Sequence, residues 1–215
     1  AVGVVGPNGA GKTSVFSLIS GDLRPNAGEV RFDGRPITAF DAAERCRLGI
    51  ARTYQVPRSF EHMTVFENVL VAANRGAGLR GKDAFAFTAG VLDETGLRRA
   101  ANQPASRLGL QQRKRLELAR ALAVRPRLVL LDEVAAGLTD PEVEGLVQII
   151  AAVRARGVAV VWVEHVVRAL FGVVDRLICL AGGKMIADGE PRSVLASDAV
   201  RDVFLGTNYG EVPPA

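Results

Sequence analysis

An α/β protein with a parallel sheet and crossover helices is predicted by three features of the sequence. Strand-like and helix-like segments alternate at both ends of the chain. An apolar segment at residues 1–5 runs directly into Gly6-Pro7-Asn8-Gly9-Ala10-Gly11-Lys12-Thr13, and a second apolar run, Leu128-Val129-Leu130-Leu131, ends in the acid pair Asp132-Glu133. Alternation of this kind favours parallel strands, because each return to the same sheet edge needs a helical crossover.

Residues 1–5 form the first predicted strand. Residues 12–20 read as a helix stopped by Gly21, since a glycine takes the left-handed turn that closes a helix. Residues 29–33 and the neighbourhood of Ile37 suit short strands around an Asp33-Gly34 turn. A helix over 42–48 and a strand over 49–54, ending at Gln55, follow. The character then changes. Thr64-Val65-Phe66-Glu67 has the T-x-x-E form of a capping box, with Val69, Leu70 and Ala73 at helical spacing behind it. A glycine-rich link at 76–81 leads to helices at 83–95 and 111–123. Residues 56–123 therefore read as a helical subdomain inserted into a core of residues 1–55 and 124–215, a single domain overall. Beyond Pro126 come a strand at 128–131, a helix at 141–156 and a strand at 158–163. Pro141 suits the first turn of that helix and Asp140 its cap, with Glu142 and Glu144 facing the positive end of the helix dipole. A short helix at 166–171, a strand at 177–180, a hairpin through Ala181-Gly182-Gly183-Lys184 and short helices over 190–205 complete the chain.

The chain has 215 residues, 48% of them hydrophobic, enough to bury a sizeable core. No apolar run approaches the ~18 residues that a membrane-spanning helix needs, and no secretion signal is read at the start of the sequence. Cys46 and Cys179 lack any CxxC spacing and sit among apolar neighbours, which predicts buried free thiols in a reducing compartment. The net charge of +4 is spread among acids. Arg113-Lys114-Arg115, the densest basic cluster, is followed by Glu117 and reads as a solvated helix face rather than a nucleic-acid patch.

The glycine-rich segment matches the GxxxxGK[ST] phosphate-loop pattern after a strand and before a helix, the context that gives the pattern its mechanism. Its glycines allow backbone angles closed to other residues, its amides converge on a phosphate, and the next helix aims its positive end at the same anion. Lys12, one of only four lysines, would reach the β- and γ-phosphates of ATP, and Thr13 would hold Mg²⁺. On a buried strand, Leu128 to Leu131 bring Asp132 and Glu133 to the carboxyl edge, where open α/β sheets bind ligands. There Asp132 would hold Mg²⁺ and Glu133 would orient or deprotonate the attacking water. Taken alone, such a pair also fits a solvent-capping role at a strand end. His165, after the 158–163 strand, can donate to a γ-phosphate; taken alone, it better suits a satisfied structural histidine, the reading that His62 keeps.

With the loop, the acid pair, His165 and Gln55 in this order, the chain resembles the nucleotide-binding subunits of ATP-binding cassette (ABC) transporters along essentially its whole length. Details such as Ala51-Arg52-Thr53-Tyr54-Gln55, Met63 to Val69 and Glu164-His165-Val166 look most like subunits of bacterial branched-chain amino acid importers. The resemblance implies a P-loop ATPase core, ATP bound by Gly6 through Ser14, and Gln55 contacting Mg²⁺ while coupling the helical insertion to a membrane permease. It also implies head-to-tail pairing of two subunits, a solute-binding protein acting indirectly, no nucleic-acid partner, and a peripheral place on the cytoplasmic face of the plasma membrane.

Four departures stand out. The LSGGQ signature falls on Leu108-Gly109-Leu110-Gln111-Gln112, leaving Gly109 and Gln112 to meet the nucleotide without the serine hydroxyl. Val134 replaces the proline usual after the catalytic acid. Thr139 replaces an aspartate in Ala136-Gly137-Leu138-Thr139, the D-loop position. The upstream strands and the adenine-stacking aromatic have no counterpart, so the sequence is expected to be a fragment lacking its N-terminal strands. The expected function is ATP hydrolysis powering an importer of branched-chain amino acids or similar small polar solutes; a nucleotide-binding regulatory or non-transport ATPase with weak turnover is the alternative. A small-molecule kinase would need an arginine-bearing lid over an acceptor pocket, and a chromosome-associated ATPase would need long heptad helices that the chain lacks.

Overall fold

The computed structural model describes residues 1–204. Leu205, expected to end the last helix, and the rest of the 205–215 segment assigned to the core lie outside the described residues. Strand β1 (Val2–Val5) leads into helix α1 (Lys12–Ser20), whose C-cap Gly21 has φ 86°. The short antiparallel pair β2 (Arg31–Phe32) and β3 (Arg35–Pro36) turns through Asp33 and Gly34, both at positive φ. Helix α2 (Ala42–Arg47), with an Asp41–Glu44 capping box, precedes β4 (Ile50–Arg52). Helices α3 (Val65–Arg75), α4 (Gly81–Glu94) and α5 (Leu110–Ala123) follow, α3 packing on both of the others. The predicted Thr64–Glu67 capping box is formed. Strand β5 (Leu128–Asp132), helix α6 (Asp140–Ala155), strand β6 (Ala159–Val163), helix α7 (Val167–Phe171), strands β7 (Arg176–Ala181) and β8 (Lys184–Gly189), and helices α8 (Pro191–Ala196) and α9 (Asp198–Phe204) complete the order.

The sheet order is β4-β5-β6-β1-β7-β8; β4 to β7 are parallel and β8 pairs antiparallel to β7. Gly182 (φ 53°) and Gly183 (φ 75°) make the hairpin turn, a geometry that favours glycine at both central positions. Side chains alternate across the sheet with period two. Val5, Val129, Leu131, Val160 and Trp162 join one buried cluster that continues into α3, α4 and α5, while Val4, Leu130 and Val163 meet Phe16 and Ile37 on the opposite face. Each such side chain contributes roughly 1.5–3 kcal/mol. A slip of one residue would turn both sets to the wrong face, so the register is tightly specified.

Three expectations are corrected. Strand β4 stops at Arg52 rather than Tyr54, because its register with β5 ends at Leu130, although the Thr53 amide still donates to Leu130 O at 2.9 Å. The cap of α6 is Thr139, not Asp140: its amide and hydroxyl both donate to Glu142 Oε2, at 2.8 and 2.9 Å, which places Asp140 in the first turn. Cys46 is half-buried and only Cys179 is buried; both are free thiols.

Candidate active site at the carboxyl edge of the sheet

Parallel strands end on the same edge, so β4, β5, β6 and β1, neighbours in the sheet, deliver Gln55, Asp132-Glu133, His165 and the glycine-rich loop to one place. The loop begins at Gly6, where φ is 150° and an added Cβ would lie 2.1 Å from Leu180 O. No other residue fits against that neighbouring strand. Inside the loop the Ala10 amide donates to Pro7 O (3.1 Å), and Gly183 of the β7–β8 turn donates to Ala10 O (3.2 Å). Lys12 is 6% exposed and its Nζ donates to Gly6 O at 2.6 Å and Pro7 O at 3.0 Å. Burial pushes the Lys12 ammonium's pKa down, while the nearby Glu133 and Asp132 carboxylates hold it up. Thr13 and Ser14 lie exposed in the first turn of α1, which carries no acidic residue to oppose an incoming anion.

Asp132 is buried. Arg52 Nη2 donates to its Oδ2 at 3.0 Å, while Arg52 Nη1 reaches Ser17 Oγ (2.9 Å) and Asp22 Oδ2 (3.0 Å) on the α1 side. Burial raises the pKa of the Asp132 carboxyl and the Arg52 hydrogen bond opposes the rise. Its second oxygen, Oδ1, is buried with no hydrogen-bond partner. Thr13, Gln55 and Asp132 line one cavity of about 310 Å³. A hydroxyl, an amide oxygen and a carboxylate with a bare oxygen form a donor set that suits a hard divalent cation such as Mg²⁺, which is held by one or two carboxylates with waters and substrate phosphates completing its shell. The residues present fit that ion.

Glu133 stands at φ 49°, a left-handed backbone that a residue with a long side chain adopts at a cost of order 1–2 kcal/mol. The conformation is held from two sides: the Glu133 amide donates to Val163 O at 2.9 Å and Lys114 Nζ donates to Glu133 O at 2.8 Å. Its carboxylate is hydrogen-bonded at both oxygens, Oε2 accepting from Gln55 Nε2 at 2.6 Å and Oε1 lying 2.8 Å from His165 Nε2. Each carboxylate oxygen keeps a further lone pair, so the group can still accept a proton from a water placed between it and the loop.

Glu133, Gln55 and His165 are thus brought together, and the loop, Thr13 and Asp132 lie beside them. Gly109 and Gln112 are elsewhere: Gly109 is the N-cap of α5, and no hydrogen bond among the described residues joins 109–112 to the loop. Sequence reasoning missed Arg52 and Lys114 as members of the site. The expectation that Arg113-Lys114-Arg115 form a solvated face is overturned. Lys114 is 5% exposed, with burial lowering its pKa against the Glu164, Glu133 and Asp132 charges, and Arg113 donates to the backbone at Leu108 and Ser106. The signal was available: Lys114 is spaced four residues from buried Leu118 on the inward face of α5, and lysine is scarce in this chain.

A parallel sheet edge that carries a phosphate loop and a buried acid pair defines a P-loop ATPase. The profile described as ABC transporter matches residues 1–136. Over 220 aligned positions the chain is 36% identical to the high-affinity branched-chain amino acid transport ATP-binding protein BraF of Pseudomonas aeruginosa, covering 95% of this chain and 86% of that protein. It is also 36% identical to the lipopolysaccharide export system ATP-binding protein LptB of Acidithiobacillus ferridurans, covering 97% and 86%. A dimeric ATP-binding cassette in a post-hydrolysis state with ADP and Pi superposes with a TM-score of 0.79 at 27% identity, covering 89% of this chain and 85% of that one. The chain belongs to the ABC transporter family, in which it is an ATP-binding, ATP-hydrolysing subunit. Among the described residues no helix is long and apolar enough to cross a membrane.

Proposed function

We propose that Gly6 to Ser14 cradle the phosphates of ATP, that Lys12 and His165 stabilise charge on the γ-phosphate, and that Glu133 accepts a proton from the attacking water. The convergence of Gln55 and His165 on the two carboxylate oxygens of Glu133 carries this reading. Mg²⁺, held by Thr13, Asp132 and Gln55, would neutralise charge developing on the phosphates. Two such chains pair head to tail, Gly109 and Gln112 of each facing the other's nucleotide. Residues 56–123 act as the subdomain that docks an integral membrane permease at the cytoplasmic face of the membrane, with a solute-binding protein engaged indirectly.

The cargo we infer is a branched-chain amino acid or a similar small polar solute, a reading supported by the likeness to BraF; the equal identity to LptB makes lipopolysaccharide export its direct competitor. Co-expression with each kind of permease, followed by co-purification and transport of leucine into vesicles, separates them. Retention of an amino acid permease with ATP-dependent leucine uptake is expected, and retention of the exporter subunits alone overturns the importer reading. Cross-links from Arg58 or Ser59 should reach the permease, whereas cross-links confined to α8 and α9 would refute the docking assignment. The glycine, leucine and glutamine at 109–111 favour the second reading, a regulatory subunit with weak turnover, which predicts slow hydrolysis even with the permease bound.

A further inference from the structure

Glu164, on the residue before His165, is 1% exposed and takes no part in the mechanism described above. Its carboxylate is surrounded by donors. Oε1 accepts from the Ala135 amide at 2.6 Å and from Trp162 Nε1 at 3.3 Å; Oε2 accepts from the His165 amide at 3.1 Å and the Val166 amide at 3.3 Å. Burial raises the Glu164 pKa and these four hydrogen bonds oppose it. Both oxygens already accept from N–H donors, so these hydrogen bonds favour the anion against the opposing effect of burial. Two of the donors belong to the loop that carries His165. A third, Ala135, lies two residues beyond Glu133, at the head of the D-loop, where Gly137 in turn packs so closely on Leu110 that an added Cβ would sit 3.2 Å from Leu110 Cδ2.

We propose that Glu164 is a positioning residue that locks the loop after Glu133 to the loop of His165, so that the Glu133–His165 pair keeps its spacing and the two loops move as one. This rests on the reading that Glu133 and His165 act on the γ-phosphate and its water. One oxygen of the Glu164 carboxylate faces each loop, so a single side chain serves both at once. Glu164→Gln keeps the size but has a single acceptor oxygen; whichever way the amide is turned, its NH₂ meets either the Ala135 side or the His165 side, and one tether is lost.

The chain contains two histidines, so the ring ¹⁵N resonances of His165 can be followed with His62 as internal control. In Glu164→Gln the His165 ring resonances should shift while those of His62 stay fixed. The kcat for ATP hydrolysis should fall about tenfold, the equivalent of ~1.4 kcal/mol, while KM stays within about twofold because the phosphate loop is untouched. Unchanged His165 resonances and unchanged kcat, with or without a lower melting temperature, would overturn the proposal. Should the variant fold poorly, amide hydrogen exchange in the unaltered protein decides: slow exchange together at Ala135, His165 and Val166 supports the lock, and fast exchange at Ala135 removes it. Glu133→Gln and His165→Ala are run alongside. If both hydrolyse at the parent rate, the reading of the site itself has failed; if both stall while Glu164→Gln behaves as the parent, only the positioning role has.

Discussion

At the sheet edge Lys12, Asp132 and Glu133 are each less than a tenth exposed, and every one is hydrogen-bonded to another part of the site. At the start of α5, by contrast, Gly109 and Leu110 are exposed and the helix begins without a side-chain cap. The first region is ordered by its own chain: strand register, a left-handed Glu133 and a buried lysine fix the groups before any ligand arrives, which is the arrangement electrostatic catalysis needs. The second leaves backbone N–H groups at a helix end with no side-chain cap among the described residues. In the head-to-tail pairing proposed above, the first region would be the half-site that one chain completes by itself and the second the half-site that waits for its partner.

The comparison breaks first at Glu133. Glu133→Gln keeps the hydrogen-bonding size yet removes the proton acceptor, so hydrolysis should fall by about 10²- to 10⁴-fold with ATP affinity retained. If the open half-site meets a second chain, the stalled protein should accumulate as a dimer with ATP and not with ADP, read by light scattering. Hydrolysis at the parent rate removes the catalytic assignment; stalled monomers leave the chemistry intact and remove the pairing of the isolated chain.

Lys12→Ala should lower ATP affinity by about 10²-fold or more by calorimetry, the scale of losing charge-assisted bonds of ~1.5–3 kcal/mol each. Circular dichroism should be unchanged, since the Nζ partners Gly6 O and Pro7 O sit in a loop closed by backbone bonds of its own. Unaltered affinity would mean that the loop does not hold phosphate.

Two glycines test how far the sheet edge is fixed by contact rather than by backbone angle alone. At Gly6 an alanine combines positive φ with a backbone oxygen 2.1 Å away; at Gly9, φ 79°, nothing lies within 4 Å. Gly6→Ala should lower stability in urea by ~2–4 kcal/mol, overpacking added to strain, and Gly9→Ala by only ~1–2 kcal/mol. Equal losses would show that the β7 contact contributes nothing.

What could be read from the sequence follows the same division. The loop, α1 with Gly21, the Thr64–Glu67 box and the Gly182-Gly183 hairpin depend on residues within a few positions of one another, and the structure forms each of them. Thr139-Asp140-Pro141-Glu142 carried a capping box too, but the aspartate drew attention from the threonine three residues before Glu142. The long-range parts were hidden. Lys114 is turned inward by a strand end that lies 19 residues on, Arg52 finds Asp132 80 residues away, and Glu164 is buried by an amide 29 residues earlier. A charged residue at the end of an apolar strand looks solvated until its distant donors are known.

The smallest effect is expected at the open end, from Gly109→Ser. The backbone there is extended (φ −69°, ψ 171°), and no atom lies within 4 Å of an added Cβ, so serine fits without strain. Serine exceeds glycine as a helix cap by only a few tenths of a kcal/mol, which for a chain of this size means a melting-temperature gain of about 1 °C. That gain belongs to the single chain and must not depend on protein concentration. A second consequence arises only if α5 of one chain faces the nucleotide of another. The hydroxyl then donates one neutral hydrogen bond to phosphate, worth ~0.5–1.5 kcal/mol, or about a two- to tenfold rise in kcat. Because that bond exists only in the pair, the rise should appear as protein concentration passes through the dimerisation range and vanish below it. A stabilised cap with hydrolysis unchanged at every concentration would mean that the exposed end of α5 does not meet a nucleotide, and the contrast between the two regions would then reflect only how each is buried within its own chain.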